Sequence, residues 1–342
     1  MRETLVLATR GSELALRQTE QVRQRLAALG ASSELCIVRT SGDSDRPFGE
    51  RREGAHPLGL VEPGVTGAFT HELERSLVEG RAGAAVHSLK DLPTRLLTGL
   101  VVAAVLPRAD TRDVLLIRPE AHDPTRPLGL VPRARVGSGS LRRKLQLLRE
   151  RPDLEVLPIR GNVPTRVAKV RDGAFDATVL AAAGLERLAL ETAPLVRLVL
   201  ESENFLPAPG QAAIAVECRR DDAALVELLR KLDDPAAATC VAAERALLAR
   251  LGGGCSLPLG ALARIEAGVI RLEAALEVGG DTGVVRTERR DPDPFRVAQQ
   301  THRDLVAALG PARRLEGRVV GLCRPEPSSD RLAIALREAG AT

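Results

Sequence analysis

From Leu5 to Leu180 the chain alternates short apolar runs with stretches of helical spacing, and this alternation constrains the fold more than any single residue. Leu5-Val6-Leu7-Ala8 reads as a strand, and Thr9-Arg10-Gly11-Ser12 as a turn with a capping serine. Glu13 to Leu29 then carries apolar residues at helical spacing and stops at Gly30. The order recurs. Cys36-Ile37-Val38 is strand-like, Thr70 to Glu79 helical, and Gly83 to Val86 strand-like before a turn from Ser88 to Thr94. Strands follow at Leu100 to Leu106 and Val114 to Ile117. Arg135-Val136 leads through Gly137-Ser138-Gly139-Ser140 into a helix from Leu141 to Arg149. Val156 to Arg160 leads into a helix from Val163 to Asp172 and a strand from Ala177 to Leu180. Such a chain predicts an α/β architecture with mostly parallel sheets in two lobes. After Arg220 the texture changes. Helices at Ala223 to Leu232 and Ala236 to Ala249 precede alternating runs at Gly260 to Arg264, Val269 to Leu276 and Thr282 to Thr287. A helix from Phe295 to Leu309 closes a small α+β domain with an antiparallel sheet.

Composition narrows the class. The 342 residues are 44% hydrophobic yet hold five Phe and neither Tyr nor Trp, so the core is built of Leu, Val, Ala and Ile. The scarcity of rings removes the stacking platforms that single-stranded nucleic acid needs, and a net charge of +4 is small for this length. Cys36, Cys218, Cys240, Cys255 and Cys323 form no C-x-x-C pair, which argues against a disulfide framework and a zinc site; no metal is expected. The N-terminus lacks the apolar core of a signal peptide, and no apolar run reaches the length of a membrane span, so a soluble cytoplasmic protein is expected.

Three features bear on chemistry. Cys255 follows Gly252-Gly253-Gly254, a run that favours neither helix nor strand and lets the backbone approach something bulky. Two readings stand: a plain loop with a small hydrophobe, or a thiol placed for covalent or redox work. Secondly, three loop-to-helix junctions pair small residues with arginine: Thr9-Arg10-Gly11-Ser12, Gly139-Ser140-Leu141-Arg142-Arg143 and Arg160-Gly161-Asn162-Val163-Pro164-Thr165-Arg166. Each alone is an ordinary capped helix start. Three in one α/β chain point to an anion site for several carboxylates or phosphates, because free N–H groups and Arg forks converge there. None is a nucleotide fingerprint. Thirdly, Val86-His87-Ser88-Leu89-Lys90-Asp91-Leu92-Pro93-Thr94 places charges at a strand end, where open α/β sheets bind ligands. Lys90 and Asp91 read either as a surface ion pair or as a site where a carboxylate steadies a developing cation.

Together these segments resemble the porphobilinogen deaminase (hydroxymethylbilane synthase) family of tetrapyrrole (porphyrin and haem) biosynthesis. The resemblance runs from about Leu5 to about Leu309 and includes Phe69-Thr70-His71-Glu72-Leu73-Glu74, Leu180 to Leu188, Pro207-Ala208-Pro209-Gly210-Gln211 and Gly252-Gly253-Gly254-Cys255. It implies two periplasmic-binding-protein-like lobes and a small α+β domain: lobe 1 at 1–105 and 202–221, lobe 2 at 106–201, the cofactor-carrying domain at 222–310. It implies a dipyrromethane cofactor on Cys255 through a thioether, held further by Lys90, Ser88, Ser140, Arg142 and Arg143. Asp91 would assist loss of ammonia from porphobilinogen and stabilise the resulting cation. Arg10, Ser12, Arg160, Arg166, Arg187, Gln211 and Phe69 would contact substrate. Four substrates would be joined head to tail into hydroxymethylbilane by a monomer. A non-catalytic two-lobed carboxylate-binding protein is the rival reading, and it has no need of Cys255.

The chain departs from the family pattern at Thr66-Gly67-Ala68-Phe69, where a Lys is usual before the Gly-Phe-like residues, at Gly83, where an acid is usual, and at Ala212, where Gly is common. The tail, 311–342, resembles the first strand and helix of uroporphyrinogen-III synthase, suggesting a functional link to that enzyme. One such unit cannot bury a core of its own.

Overall fold

The computed structural model describes residues 4–38, 70–252, 257–277 and 283–309. Phe69, Cys255 and the 311–342 tail lie outside the described residues. The first lobe is a five-stranded sheet in the order β2-β1-β3-β10-β4. Its strands are β1 (Leu5–Arg10), β2 (Ser33–Val38), β3 (Ala84–Ser88), β4 (Leu100–Val105) and β10 (Ile214–Arg219). The second lobe has the order β7-β6-β8-β5-β9. Its strands are β5 (Asp113–Ile117), β6 (Arg135–Gly137), β7 (Glu155–Leu157), β8 (Ala177–Ala181) and β9 (Val196–Leu200).

The two orders are the same order. Each lobe places its second strand, then its first, then its third in parallel, next a strand delivered from the other lobe, then its last. The delivered strands, β10 and β5, run antiparallel to both neighbours. The sheets are therefore mixed, a correction to the mostly parallel expectation. An alternating pattern cannot reveal strand direction, because a strand entering from another lobe carries no crossover helix to mark it. The chain crosses between lobes twice, from β4 to β5 and from β9 to β10.

Helices cover the sheets: α1 (Glu13–Ala28), α2 (His71–Val78), α3 (Leu141–Glu150), α4 (Val163–Arg171), α5 (Ala182–Arg187) and α6 (Ala223–Arg230). Helix α1 starts where Ser12 Oγ accepts the Ala15 N–H at 3.3 Å. It buries Val22 and Leu26 against Leu7, Val86 and Val216. The core of the second lobe is Leu115, Ile117, Val136, Leu147 and Val179 with Phe205, nearly free of rings as the composition requires. Strand β5 is buried along its whole length, which explains its unbroken Val-Leu-Leu-Ile run. Elements β9, β10 and α5 have no counterpart in the sequence reading. In β10 the buried Glu217 interrupts the apolar pattern that would have marked a central strand.

The third part is an antiparallel meander of β11 (Leu259–Glu266), β12 (Val269–Glu277) and β13 (Val284–Asp291). It packs with α7 (Pro235–Arg250) and α8 (Pro294–Leu309) around Leu247, Leu259, Leu272, Val297 and Leu305. Helix α6, which the sequence places at the head of this domain, buries Leu229 in the first lobe instead.

A group of titratable side chains is sealed inside the first lobe. His87 Nε2 lies 3.0 Å from Glu217 Oε2, both almost wholly buried. Nearby Glu74 of α2 is pushed up to about 7 by burial and by the Glu217 charge, with the Leu97 backbone and His87 acting in the opposite direction. A carboxyl raised in the folded state favours folding fully below its unfolded value, and that contribution is lost as pH rises through 7. Glu74→Gln should therefore melt higher than the parent at pH 8. The difference should close as pH falls below the ordinary carboxylate range, a trend that thermal melts at several pH values would check.

Candidate active site

Strand β3 ends in the cleft, and the chain turns at once into a single 3-10 turn, Leu89–Asp91. This turn carries Lys90 and Asp91, and its position is set from several sides. Ser88 Oγ donates to Gln18 Oε1 of α1 at 2.9 Å. The Leu89 N–H donates to the Ala213 carbonyl at 3.0 Å. Gly210 of the second crossing lies flat against the turn. A Cβ there would sit 3.2 Å from Leu89 Cγ and 3.4 Å from the Lys90 nitrogen, at a φ of +72° that L side chains rarely adopt. Ala212 nearby also takes a positive φ, 70°, a left-handed conformation that alanine rarely adopts.

The second lobe supplies most of the cations. Ser140 caps α3, accepting from the Arg143 N–H at 3.5 Å, and the Ser140 N–H donates to Ser138 Oγ at 3.2 Å. The first turn of α3 presents Arg142 and Arg143, both buried, and both grip Asp113 at the start of β5. Arg142 donates to Asp113 Oδ2 at 2.9 Å and to the Leu206 carbonyl at 2.7 Å. Arg143 donates to Asp113 Oδ1 at 2.7 Å, to Oδ2 at 3.2 Å and to the Val179 carbonyl at 3.0 Å. Burial pushes the Asp113 carboxyl up. The two guanidinium charges and the hydrogen bonds from Arg143 and Gln211 outweigh it and hold the group below the usual carboxylate range.

Gln211, expected among the substrate contacts, is fully buried at the base of the cleft. Its amide donates to Asp113 Oδ1 and to the Thr111 carbonyl, each at 2.8 Å. It ties the two crossings together. Asp113 itself escaped the sequence reading. Between Arg112 and an apolar run it looks like a solvated acid at a strand start, and only the return of α3 over β5 makes it a partner for two arginines.

Helix α4 adds Arg166. Asn162 caps the helix, accepting from the Thr165 N–H at 3.0 Å, and Arg166 Nε donates to the Gly161 carbonyl at 2.8 Å. Arg166 is lowered by burial and by the Arg143 charge, with Asp91 opposing. Lys90 is lowered by burial and by Arg143 and Arg142, with Asp91 and Asp113 opposing. These mutual influences bring the Lys90-Asp91 turn of one lobe together with Arg142, Arg143 and Arg166 of the other. Arg187 of α5 donates to the Ala212 carbonyl at 2.6 Å, and burial pulls it down to about 10. Arg10, ending β1, and Ser12 are half-buried, whereas Arg160 is exposed.

The group is a cationic cleft. Asp91 and Asp113 act on Lys90, Asp91 on Arg166, and Asp113 and Glu277 on Arg142. Partly desolvated like charges are costly unless an anion joins them. Arg142 Nε is buried without a hydrogen-bond partner among the described residues, a further opening for an acceptor. These donors fit a small molecule bearing several carboxylates, as a dipyrromethane with acetate and propionate arms does. No metal-binding cluster of His, Cys, Asp or Glu occurs among the described residues. Removing the acid that organises two buried guanidinium groups leaves uncompensated charge. Asp113→Asn should lower stability by about 3–5 kcal/mol, measured by urea denaturation.

The family model described as porphobilinogen deaminase, dipyromethane cofactor binding domain, matches residues 5–227, and that for the porphobilinogen deaminase C-terminal domain matches 238–305. A porphobilinogen deaminase of Roseiflexus castenholzii is 45% identical over 270 residues, covering 78% of this chain and 83% of that one. One from Rubrobacter xylanophilus is 43% identical over 296 residues, covering 86% and 92%. One from Bordetella parapertussis is 41% identical over 311 residues, covering 89% and 93%. Among solved structures, the VFT2 domain of Bordetella pertussis BvgS is 17% identical with a TM-score of 0.43, over 67% of this chain and 86% of that one.

Proposed function

We propose, from the premise that this chain belongs to the porphobilinogen deaminase family, that Asp91 and Cys255 carry its chemistry and that the cleft cations carry its substrate's charge. The activity is the family's: a transferase joins four molecules of porphobilinogen head to tail, releases ammonia and yields hydroxymethylbilane for tetrapyrrole synthesis. Its cofactor is dipyrromethane, which supplies the pyrrole end on which the product chain is built.

The observation that carries the assignment of roles is one carboxylate set among cations. Asp91 acts on both Lys90 and Arg166, so its charge lies where the two lobes meet. A cation that develops as ammonia leaves would be stabilised there by a fixed negative charge in a site partly closed to water. The same carboxylate can accept and return a proton at a pyrrole nitrogen. Arg142, Arg143 and Arg166, with Arg10, Arg160, Arg187 and Lys90, would neutralise acetate and propionate arms. Ser12, Ser88 and Ser140 would add hydrogen bonds at the same helix and strand ends. Cys255 would anchor the cofactor through its sulfur, and Phe69 would contribute an apolar contact. Gln211 would act by holding Asp113 rather than by touching substrate.

The fold also supports a division into lobe 1 at 1–105 and 202–221 and lobe 2 at 106–201. We take the enzyme to work as a cytoplasmic monomer; no described helix is long and apolar enough to cross a membrane. The resemblance of 311–342 to the start of uroporphyrinogen-III synthase would make that enzyme's reaction a functional neighbour.

Two variants test the roles. Cys255→Ser should give protein whose intact mass lacks the two-pyrrole adduct and which is inactive, whereas Cys218→Ser and Cys240→Ser should keep the adduct. Asp91→Asn keeps shape and removes charge. Its turnover should fall on the order of a hundredfold or more while the adduct remains. A value within a few-fold of the parent would refute the role of Asp91.

A further inference from the structure

Helix α7 belongs to the small domain, yet two adjacent residues near its C-terminal end reach into the machinery of both lobes. Glu244 is fully buried. It accepts from Arg108 Nη1 and Nη2 at 2.7 and 2.9 Å on the first crossing, from the Gly210 N–H at 2.7 Å on the second, and from the Ala263 N–H of β11 at 2.8 Å. Its neighbour Arg245 turns to the Lys90-Asp91 segment. Arg245 Nη1 donates to the Leu92 carbonyl at 2.8 Å and to the Leu89 carbonyl at 3.5 Å, and Nη2 donates to the Pro93 carbonyl at 2.6 Å. The three carbonyls bracket Asp91 in sequence, one before it and two after.

We infer that Arg245 is a positioning residue for the deamination and condensation reaction: its guanidinium fork fixes the main chain on both sides of Asp91 and so aims that carboxylate into the cleft. The inference rests on the catalytic reading of Asp91.

Three physical points support it. First, a segment of 3-10 turn followed by extended chain holds itself weakly. Within it the Leu92 N–H returns to Leu89 at 3.2 Å, and the carbonyls that a longer helix would satisfy are met from outside by Arg245. Secondly, the fork is planar and has donors at fixed angles, so it sets an orientation as well as a distance. Thirdly, holding α7 on the lobe does not depend on the fork. Ala237 and Val241 of the helix pack directly on Leu89, Leu92 and Val105. Arg245 is thus separable from docking: removing its geometry leaves the apolar contact and loosens the turn. Burial lowers the Arg245 group, with the Glu217 charge opposing.

Arg245→Lys keeps the charge and loses the fork, and it is the test variant, alone and combined with Asp91→Asn. For Arg245→Lys we expect kcat to fall about tenfold to a hundredfold, the scale of a misplaced reacting group. KM, the melting temperature and the adduct mass should stay close to the parent. In the Asp91→Asn background the same change should cost no more than about twofold, because two residues acting through one group are not additive. A parental kcat in Arg245→Lys, or an undiminished loss on top of Asp91→Asn, overturns the inference. So does a kcat loss that merely tracks a lowered melting temperature. If Arg245→Lys does not fold, Arg245→Gln, which keeps an amide donor for one carbonyl, is measured in the same way. Failure of both to fold makes Arg245 a structural tie and overturns the positioning role. Parental activity in Asp91→Asn alone would instead remove the catalytic reading, a result distinguishable from any of these.

Discussion

One buried carboxylate joins the three parts of this protein. Glu244 accepts hydrogen bonds from both inter-lobe crossings and from the first strand of the small domain, and it is fully shielded from water. A buried charge of this kind is tolerable only when its lone pairs are filled, and four N–H donors fill them. The geometry follows from that requirement. Arg108 must come in from one crossing, Gly210 must bring its bare backbone from the other, and α7 must lie across both. Gly210 then presses on Leu89, so the segment that Glu244 holds also seats the Lys90-Asp91 turn.

Asp113 plays the matching part in the second lobe. It holds Arg142, Arg143 and Gln211 at the mouth of β5, at the point where the first crossing enters the sheet. Two cations on one acid leave an excess of positive charge, to which Arg166 of the same lobe and Lys90 of the other add. Burial and repulsion by neighbouring cations both lower Lys90, Arg142 and Arg166, and an incoming carboxylate relieves the repulsion. On the proposed reading of its cations, the cleft is preorganised for a polyanion. A substrate whose carboxylates multiply as it is polymerised suits such a surface.

The shared strand order of the lobes adds a mechanical consequence. Each lobe completes its sheet with a strand delivered by the other, so each sheet depends on a crossing. The crossings are the covalent links between lobes, and they carry Arg108, Gln211 and Gly210, residues that meet Glu244, Asp113 and the Lys90-Asp91 turn. Any change in lobe separation must pass through segments whose hydrogen bonds also define the site.

Much of this was legible in the linear sequence. Strand-helix alternation showed the α/β class, because side-chain periodicity is local and survives without tertiary contacts. Capping serines and Asn162 marked the helix starts where arginines cluster, again a local matter of unfilled N–H groups. The ordered set of motifs identified the family, and with it the expectations for Asp91 and Cys255. What tertiary structure decided was pairing. Arg142 and Arg143 looked like free anion binders and prove to be anchored on Asp113. Gln211 looked like a substrate contact and lies buried between crossings. Glu244 and Arg245 drew no notice in the sequence, where nothing sets them apart from other charges on an Ala-rich helix. Their partners are Arg108, Gly210 and the carbonyls around Asp91, far from them in sequence. A charged side chain reads the same on paper whether water or a buried acid awaits it. Only the path of the chain through two crossings determines which of these it meets.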